Sequence, residues 1–179
     1  DYQYRALFHR LVCIFSNQSV SLSVEERHSR IYSLSREQEY YGTRGDFPFY
    51  KPCGWVKIAL QVPDVDGVLD WPIAYHGTAV KNVASILSSG LSTNHASRQA
   101  GSYTNKDIYL TPSIEYASFP TYAEFHKVGP GHWLQVVLKV RVRPGSFRMQ
   151  PGTLAANKYW DANLRWEPSF DSLDELEWL

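Results

Sequence analysis

Three short segments hold residue types from which a site for breaking a glycosidic bond could be built: Tyr75-His76-Gly77-Thr78, Ile108-Tyr109-Leu110 and Glu175-Leu176-Glu177-Trp178. A carboxylate beside a ribose can hydrogen-bond the 2′-hydroxyl and stabilise the positive charge of an oxocarbenium-like state. Tyrosine faces can sandwich a flat leaving group such as nicotinamide. A glycine lets backbone N–H and C=O groups come close to a carboxamide, and the adjacent histidine can bond a ribose hydroxyl and fix the pose. These are the requirements for cleaving NAD. Each element alone is ordinary. A His-Gly-Thr run arises by chance, a tyrosine in an apolar strand is by default a core aromatic, and a Glu-x-Glu near a chain end is by default a solvated strand face. The reading therefore rests on order, spacing and strand context.

Groups so far apart in the chain need a sheet to bring them together. Residues 55–62 alternate and are rich in β-formers, which predicts a strand. Residues 73–76 predict a second strand, ending in Gly77-Thr78. A helix follows, because Val80, Val83, Ile86, Leu87 and Leu91 share one face and Gly90 sits where a terminating glycine belongs. Residues 92–106 are polar and glycine-containing, a mobile loop over a site, and residues 107–110 form a third strand. Thr111 is expected to cap a short helix with Pro112 at its first position, and Pro120 must break that helix. Residues 133–142 give the clearest strand, with Leu134, Val136, Leu138, Val140 and Val142 alternating with Gln135, Lys139 and Arg141. The tail from Gly152 reads as loop or short helix until a last strand over 173–179.

The first part of the chain reads differently. Tyr4, Leu7, Phe8, Leu11, Val12 and Phe15 recur at helical spacing. Ser23 is placed to cap a second helix with Glu25 and Glu26 in its first turn, and residues 42–52 supply turn residues for a loop. Strands with helices between them, dominated by short strands, predict an α+β sheet domain.

Tyr75-His76-Gly77-Thr78, the helix ending Ile-Leu-x-x-Gly-Leu, and Asp107-Ile-Tyr-Leu-Thr-Pro-Ser-Ile-Glu-Tyr-Ala together resemble the poly(ADP-ribose) polymerase and diphtheria-toxin-like branch of the ADP-ribosyltransferases. The likeness covers roughly residues 54 to 179. It implies a split, twisted β-sheet core over residues 51–179; residues 1–50, which carry no such likeness, are read from their helical spacing as an N-terminal helical extension. It also implies a His-Tyr-Glu triad acting on NAD as co-substrate, with no metal. Carried over, His76 holds a ribose hydroxyl, Gly77 bonds the nicotinamide amide through its backbone, and Thr78 lies near the adenosine side. Tyr109 stacks on nicotinamide, with Tyr122 or Tyr116 as the second face. Glu177 is the catalytic carboxylate, because Leu-Glu-Trp looks like the strand that carries the family glutamate, with Glu167 as the fallback. Glu175, on the same strand face, helps activate or orient the acceptor. The third element departs from the pattern, in that only two residues follow Glu177. Nothing reads as an elongation loop, so the resemblance implies transfer of single ADP-ribose units to a protein side chain. A narrower likeness to bacterial effectors that modify ubiquitin on threonine implies ubiquitin as that acceptor.

The bulk composition sets outer bounds. A chain of 179 residues can bury roughly two thirds of its unfolded surface. The 18 basic and 18 acidic residues cancel, whereas a strong nucleic-acid binder carries a basic excess to displace counterions. That balance and Tyr109 argue against the RNA 2′-phosphotransferases, which share the fold and would place a histidine at that position. Cys13 and Cys53 give neither a disulfide framework nor a metal-ligand pattern, and two reduced thiols favour a reducing compartment; a cytosolic site of action, reached by secretion into a host cell, is what the likeness to effectors implies, with localisation otherwise open. No run approaches the roughly 20 apolar residues of a membrane span, and residues 11–15 are too short for a signal peptide. Aromatic residues make up 15% of the chain, most of them expected in the core and a few free to grip a planar ligand. Arg141, Arg143 and Arg148 around Pro144-Gly145 read as a solvated strand edge. Hydrolysis of NAD, with water as the acceptor, would use the same residues, and a silent binding module would keep the fold without the chemistry.

Overall fold

In the computed structural model, which describes residues 23–32, 40–61, 66–92, 107–152 and 176–179, short antiparallel strands carry the architecture. They are β1 (Arg30–Ile31), β2 (Tyr40–Arg44), β3 (Phe47–Tyr50), β4 (Val56–Lys57), β5 (Ile73–Thr78), β6 (His126–Gly129), β7 (His132–Leu134), β8 (Val136–Arg141), β9 (Met149–Gln150) and β10 (Glu177–Trp178), with helices α1 (Val80–Ser89) and α2 (Ile114–Ala117). Strands pair as β1–β4, β2–β3, β5–β8, β6–β7 and β9–β10, all antiparallel. This mixture of helix and small antiparallel sheets agrees with the α+β class. No helix among the described residues is long and apolar enough to cross a membrane.

The β5–β8 pair is the longest ladder joining distant parts of the chain, running from Ile73 opposite Arg141 to Thr78 opposite Val136. Its alternation sorts side chains onto two faces. Ile73, Tyr75 and Val137 pack with Phe49, Ile114, Ala117 and Trp55 on one. Ala74 and Val140 pack with Val142, Trp178, Phe47, Leu110 and Phe147 on the other. Two backbone bridges extend the ladder. Tyr75 exchanges both hydrogen bonds with Thr111, and Leu110 exchanges both with Trp178. The antiparallel register then sets Lys139, Tyr75, Thr111, Glu177 and Gln150 in one cross-strand row.

The helix after β5 follows its apolar stripe. Val80 and Val83 are buried against Leu87, Leu134 and Val136, and Gly90 ends the helix at φ 81°, its amide closing on the Ile86 carbonyl. At α2 the cap differs from expectation. Ser113, not Thr111, is the N-cap, accepting from the Tyr116 amide. Pro112 therefore precedes the cap rather than opening the helix, and the Thr111 hydroxyl accepts from the Ser113 amide instead.

The helical expectation for the first fifty residues is corrected wherever they are described. Glu26–His28 is one 3-10 turn without a side-chain cap, followed by strand β1. Residues 1–22, with their helical spacing, lie outside the described residues. The loop expected over 42–52 is largely the β2–β3 hairpin, with Arg44 paired to Phe47. Gly45 and Asp46 sit between them at φ 53° and 67°, the pair of positive angles that a two-residue hairpin turn of matching twist requires. Pro48 disguised that hairpin, because proline is tolerated only at strand edges.

Two predicted strands are shorter than their pattern. Of residues 55–61, only Val56–Lys57 forms a strand, with Leu60 bridged singly to Val24, residue 62 lying outside the described residues, and Leu110 and Thr111 contribute bridges rather than a full strand. The alternation over 133–142 spans two strands, β7 and β8, interrupted at Gln135. Its side-chain amide turns aside to donate to the carbonyls of Ser118 and Ala123. The loop expected at 92–106 is described only at Ser92 and otherwise lies outside the described residues.

Candidate functional site

The end of β5 is where the site begins. His76 is half-buried, and its Nδ1 lies 2.9 Å from the Tyr109 carbonyl oxygen. A carbonyl can only accept, so Nδ1 carries the proton, and neutral imidazole then leaves Nε2 as an acceptor. Burial lowers the His76 pKa from its ordinary value, opposed by the Tyr109 carbonyl, so the acceptor form predominates at neutral pH.

Gly77 is required where it stands. A Cβ there would lie 2.0 Å from the Ala117 carbonyl oxygen and 2.8 Å from Tyr122 Cβ, so the end of α2 packs directly on its backbone. That contact aligns the segment bearing Tyr116 and Tyr122 beside the strand. Thr78, one residue on, is buried and stands outside the lining of the cleft, with its hydroxyl 3.5 Å from Asn82 Nδ2.

Glu177 is buried, at 2% exposure. Its Oε1 accepts from the Tyr116 hydroxyl at 2.6 Å and its Oε2 from Gln150 Nε2 at 2.8 Å. Burial, with Tyr122 and Glu177 beside it, holds the Tyr116 hydroxyl far above the usual tyrosine pKa. It stays a donor to the carboxylate at every ordinary pH. On the opposite face of β10, Trp178 stacks on Phe147 at 4.4 Å and lies 5.0 Å from Phe47, so an aromatic wedge fixes the two-residue strand that carries Glu177.

Tyr75, His76, Gly77, Tyr109, Leu110, Thr111, Tyr116, Tyr122 and Glu177 line a single cleft enclosing ≈ 50 Å³. That is well short of the roughly 300–1,000 Å³ around a drug-sized ligand, so the enclosed space accepts a small group and any larger ligand extends beyond it. The sequence-predicted residues His76, Gly77, Tyr109, Tyr116, Tyr122 and Glu177 thus meet at one place, and Thr78 does not join them. Glu175 and Glu167 lie outside the described residues. Tyr116 and Tyr122 stack on each other, with centroids 5.7 Å apart and planes at 29°. Because the Tyr116 hydroxyl is held by Glu177, the half-buried Tyr122 is the better placed of the two to meet a ligand ring.

Gln150 is the participant that sequence reasoning missed. It lies in a stretch without periodicity, and only its pairing opposite Glu177 in β9–β10 brings its amide to the carboxylate. Gly152 supports the same corner, since a Cβ there would stand 3.1 Å from the Tyr116 hydroxyl. Compared with known protein families, curated proteins and solved structures, the chain matches none.

Proposed function

We propose that the chain is a mono-ADP-ribosyltransferase that moves ADP-ribose from NAD to a protein side chain and releases nicotinamide. The observation that carries this reading is the meeting of His76, Tyr109 and Glu177, far apart in sequence, around one cleft. Its chemistry suits the reaction. Nε2 of neutral His76 accepts from a ribose hydroxyl, and the Glu177 carboxylate accepts from the 2′-hydroxyl. As the bond from the ribose C1′ to the nicotinamide nitrogen breaks, that fixed negative charge stabilises the oxocarbenium-like sugar. Tyr109 and Tyr122 flank the departing ring, which the backbone of Gly77 orients. The small enclosed space admits only the nicotinamide end, while the remainder of the dinucleotide lies across the open side.

The acceptor is a protein nucleophile, with ubiquitin threonine the narrower case that the sequence resemblance suggests. Incubating the chain with NAD labelled in its ADP-ribose half and a cell lysate tests the reading. Label recovered on protein is the expected result, and mass spectrometry of the labelled proteins identifies the acceptor residue. Nicotinamide release without labelled protein makes the chain an NAD glycohydrolase. Neither product overturns the proposal and leaves a binding module.

A further inference from the structure

At the other end of the cross-strand row from Glu177 stands a second concentration of charge, of opposite sign. Lys139 and Arg141 project from one face of β8, opposite Tyr75 and Ile73. Arg30 and Lys57 face each other across β1–β4, and Arg44 arrives from the β2–β3 hairpin. Lys139 Nζ sits 4.3 Å from the centroid of the Phe49 ring, with the Arg44 guanidinium carbon 5.9 Å from the same centroid, so two cations share one aromatic surface. The charges acting on Lys139 are those of Lys57, Arg141 and Arg44, all positive. Those acting on Lys57 are Arg30 and Arg141, and Arg141 feels Arg44 and one carboxylate, Asp70. Among the described residues, neither Lys139 nor Lys57 has a carboxylate within ion-pair distance.

Such a cluster works against folding. Both lysines are half-buried, so each is partly stripped of water and repelled by its neighbours at once. Desolvation and the three neighbouring cations pull the Lys139 pKa down to about 8. Arg141 is meanwhile anchored, its Nη1 donating to the carbonyls of Leu69 and Trp71, which fixes the guanidinium plane and leaves Nη2 and Nε as donors. Cations drawn from β2 and β8 onto one ring, with Lys57 of β4 acting on Lys139 beside them, make a compact focus rather than the extended stripe that tracks a nucleic-acid backbone. A compact dianion with several acceptor oxygens matches it in charge and can take several such donors at once.

We propose that Arg44, Lys57, Lys139 and Arg141 form a binding site for a phosphoryl dianion, separate from the cleft and carried on the same face of the sheet. Tyr75 and Thr111 stand between Lys139 and Glu177 in the cross-strand row, and no cluster residue lines the cleft. The phosphoryl group comes from a free phosphate compound or from a phosphorylated protein side chain, and two probes distinguish these sources. Calorimetric titration of the full chain with inorganic phosphate, against sodium chloride at matched ionic strength, should give saturable binding. O-Phosphoserine in place of phosphate reads the side-chain source. Tighter binding of O-phosphoserine favours a modified protein, and tighter binding of phosphate favours a small molecule.

Lys139→Met and Lys57→Met should each weaken phosphate binding about tenfold or more, the worth of one charge-assisted hydrogen bond. Lys139→Arg should retain it, and Arg143→Met, an exposed arginine outside the cluster, should leave it unchanged. Phosphate should also raise the melting temperature of the wild type and of Lys139→Arg but not of Lys139→Met, which separates lost binding from lost folding. At pH 8 binding should take up protons, visible as an enthalpy that changes with the buffer. Phosphate binding no stronger than chloride, equal affinity in Lys139→Met, or displacement of phosphate by NAD would each overturn the proposal.

Discussion

Glu177 and Lys139 stand in the same cross-strand row and are both drawn away from water, yet the fold treats their charges in opposite ways. The carboxylate is fully enclosed and answered, with one oxygen held by a tyrosine hydroxyl and the other by a glutamine amide. The ammonium is only half-enclosed and faces three other cations. Buried charge is tolerable when paired or hydrogen-bonded and costly otherwise. The difference therefore separates two functional states. On the proposed function, the acid is preorganised, in place before any substrate arrives, which is what electrostatic stabilisation of a transition state demands. On the phosphoryl-site proposal, an anion is what answers the Lys139 and Lys57 ammonium groups.

The sharpest way to break this comparison is at Glu177. Glu177→Gln keeps the shape, accepts from Tyr116 through its oxygen and donates to Gln150 once that amide flips, but it removes the charge. ADP-ribosyl transfer should fall by roughly 10²–10³, the scale for losing one fixed electrostatic group, with little change in melting temperature. Glu177→Ala should also destabilise the fold, because it strands the Tyr116 hydroxyl and the Gln150 amide at roughly 1–3 kcal/mol for each buried group. Labelled-NAD turnover and thermal melting of both variants separate the two effects. Transfer that survives Glu177→Gln removes the carboxylate from the chemistry and ends the contrast with Lys139.

Gly77→Ala tests whether the cleft is as rigid as the carboxylate inside it. The new methyl meets a backbone carbonyl at 2.0 Å, which no rotamer change can relieve. The expected destabilisation is about 1–3 kcal/mol, as for other overpacked sites, with Tyr122 displaced and turnover reduced. An unchanged melting temperature would mean that the end of α2 moves easily, and the picture of a preformed cleft would fail.

How much of this was legible in the sequence follows from how local each signal was. The strand at Ile73, the helix from Val80 and the stop at Gly90 were readable because periodicity and a helix-ending glycine are encoded within a few residues. His76, Tyr109 and Glu177 were nominated from flanking motifs, and the structure gathers them. The β2–β3 hairpin was missed because Pro48 argued against a strand more visibly than Gly45-Asp46 argued for a two-residue turn. The interruption at Gln135 was hidden because its two carbonyl partners lie on another segment. Gln150 and the cationic focus depend on pairings between distant strands, for which no local pattern exists. Arg141 was noticed in the sequence, but beside Arg143 and Arg148, whereas its companions in space are Arg44, Lys57 and Lys139. Arg148 instead pairs with Asp107 at 3.2 Å.

His76 sharpens the comparison more gently, as a titratable group that burial keeps neutral. Its replacement by alanine should lower kcat/KM for NAD about tenfold, the worth of one hydrogen bond made to the bound sugar, with KM raised. Because burial lowers its pKa, the wild-type rate should hold level as pH falls through the ordinary histidine value of 6.5. On the same account the unfolded chain binds the proton first, so this group's contribution to stability should decline as pH drops below 6.5 towards the depressed value. A rate that falls in step with a pKa of 6.5 or above would show that His76 is not the buried acceptor described.

The smallest expected effect belongs to Lys139 in the absence of any anion. Its pKa is lower in the folded chain, about 8 against an ordinary 10.5, so between those values the unfolded chain binds more protons than the folded one. Stability should therefore rise with pH across that window as far as this group is concerned. The relief comes from losing one positive charge among Lys57, Arg141, Arg44 and Arg30, with Asp70 the carboxylate acting on Arg141. Tyr116 works in the opposite direction only above the ordinary tyrosine value of 10.0, which leaves pH 8 to 10 as the interval to measure. Lys139→Met should flatten the rise there. Near neutral pH it should change stability by no more than about 1 kcal/mol, because relief of repulsion is offset by the lost contact between the ammonium and Phe49. Denaturant melts of wild type and variant at pH 7, 8, 9 and 10 would show it. Parallel curves would mean that the ammonium is fully solvated, and the charge at that end of the row would then need no ligand to complete it.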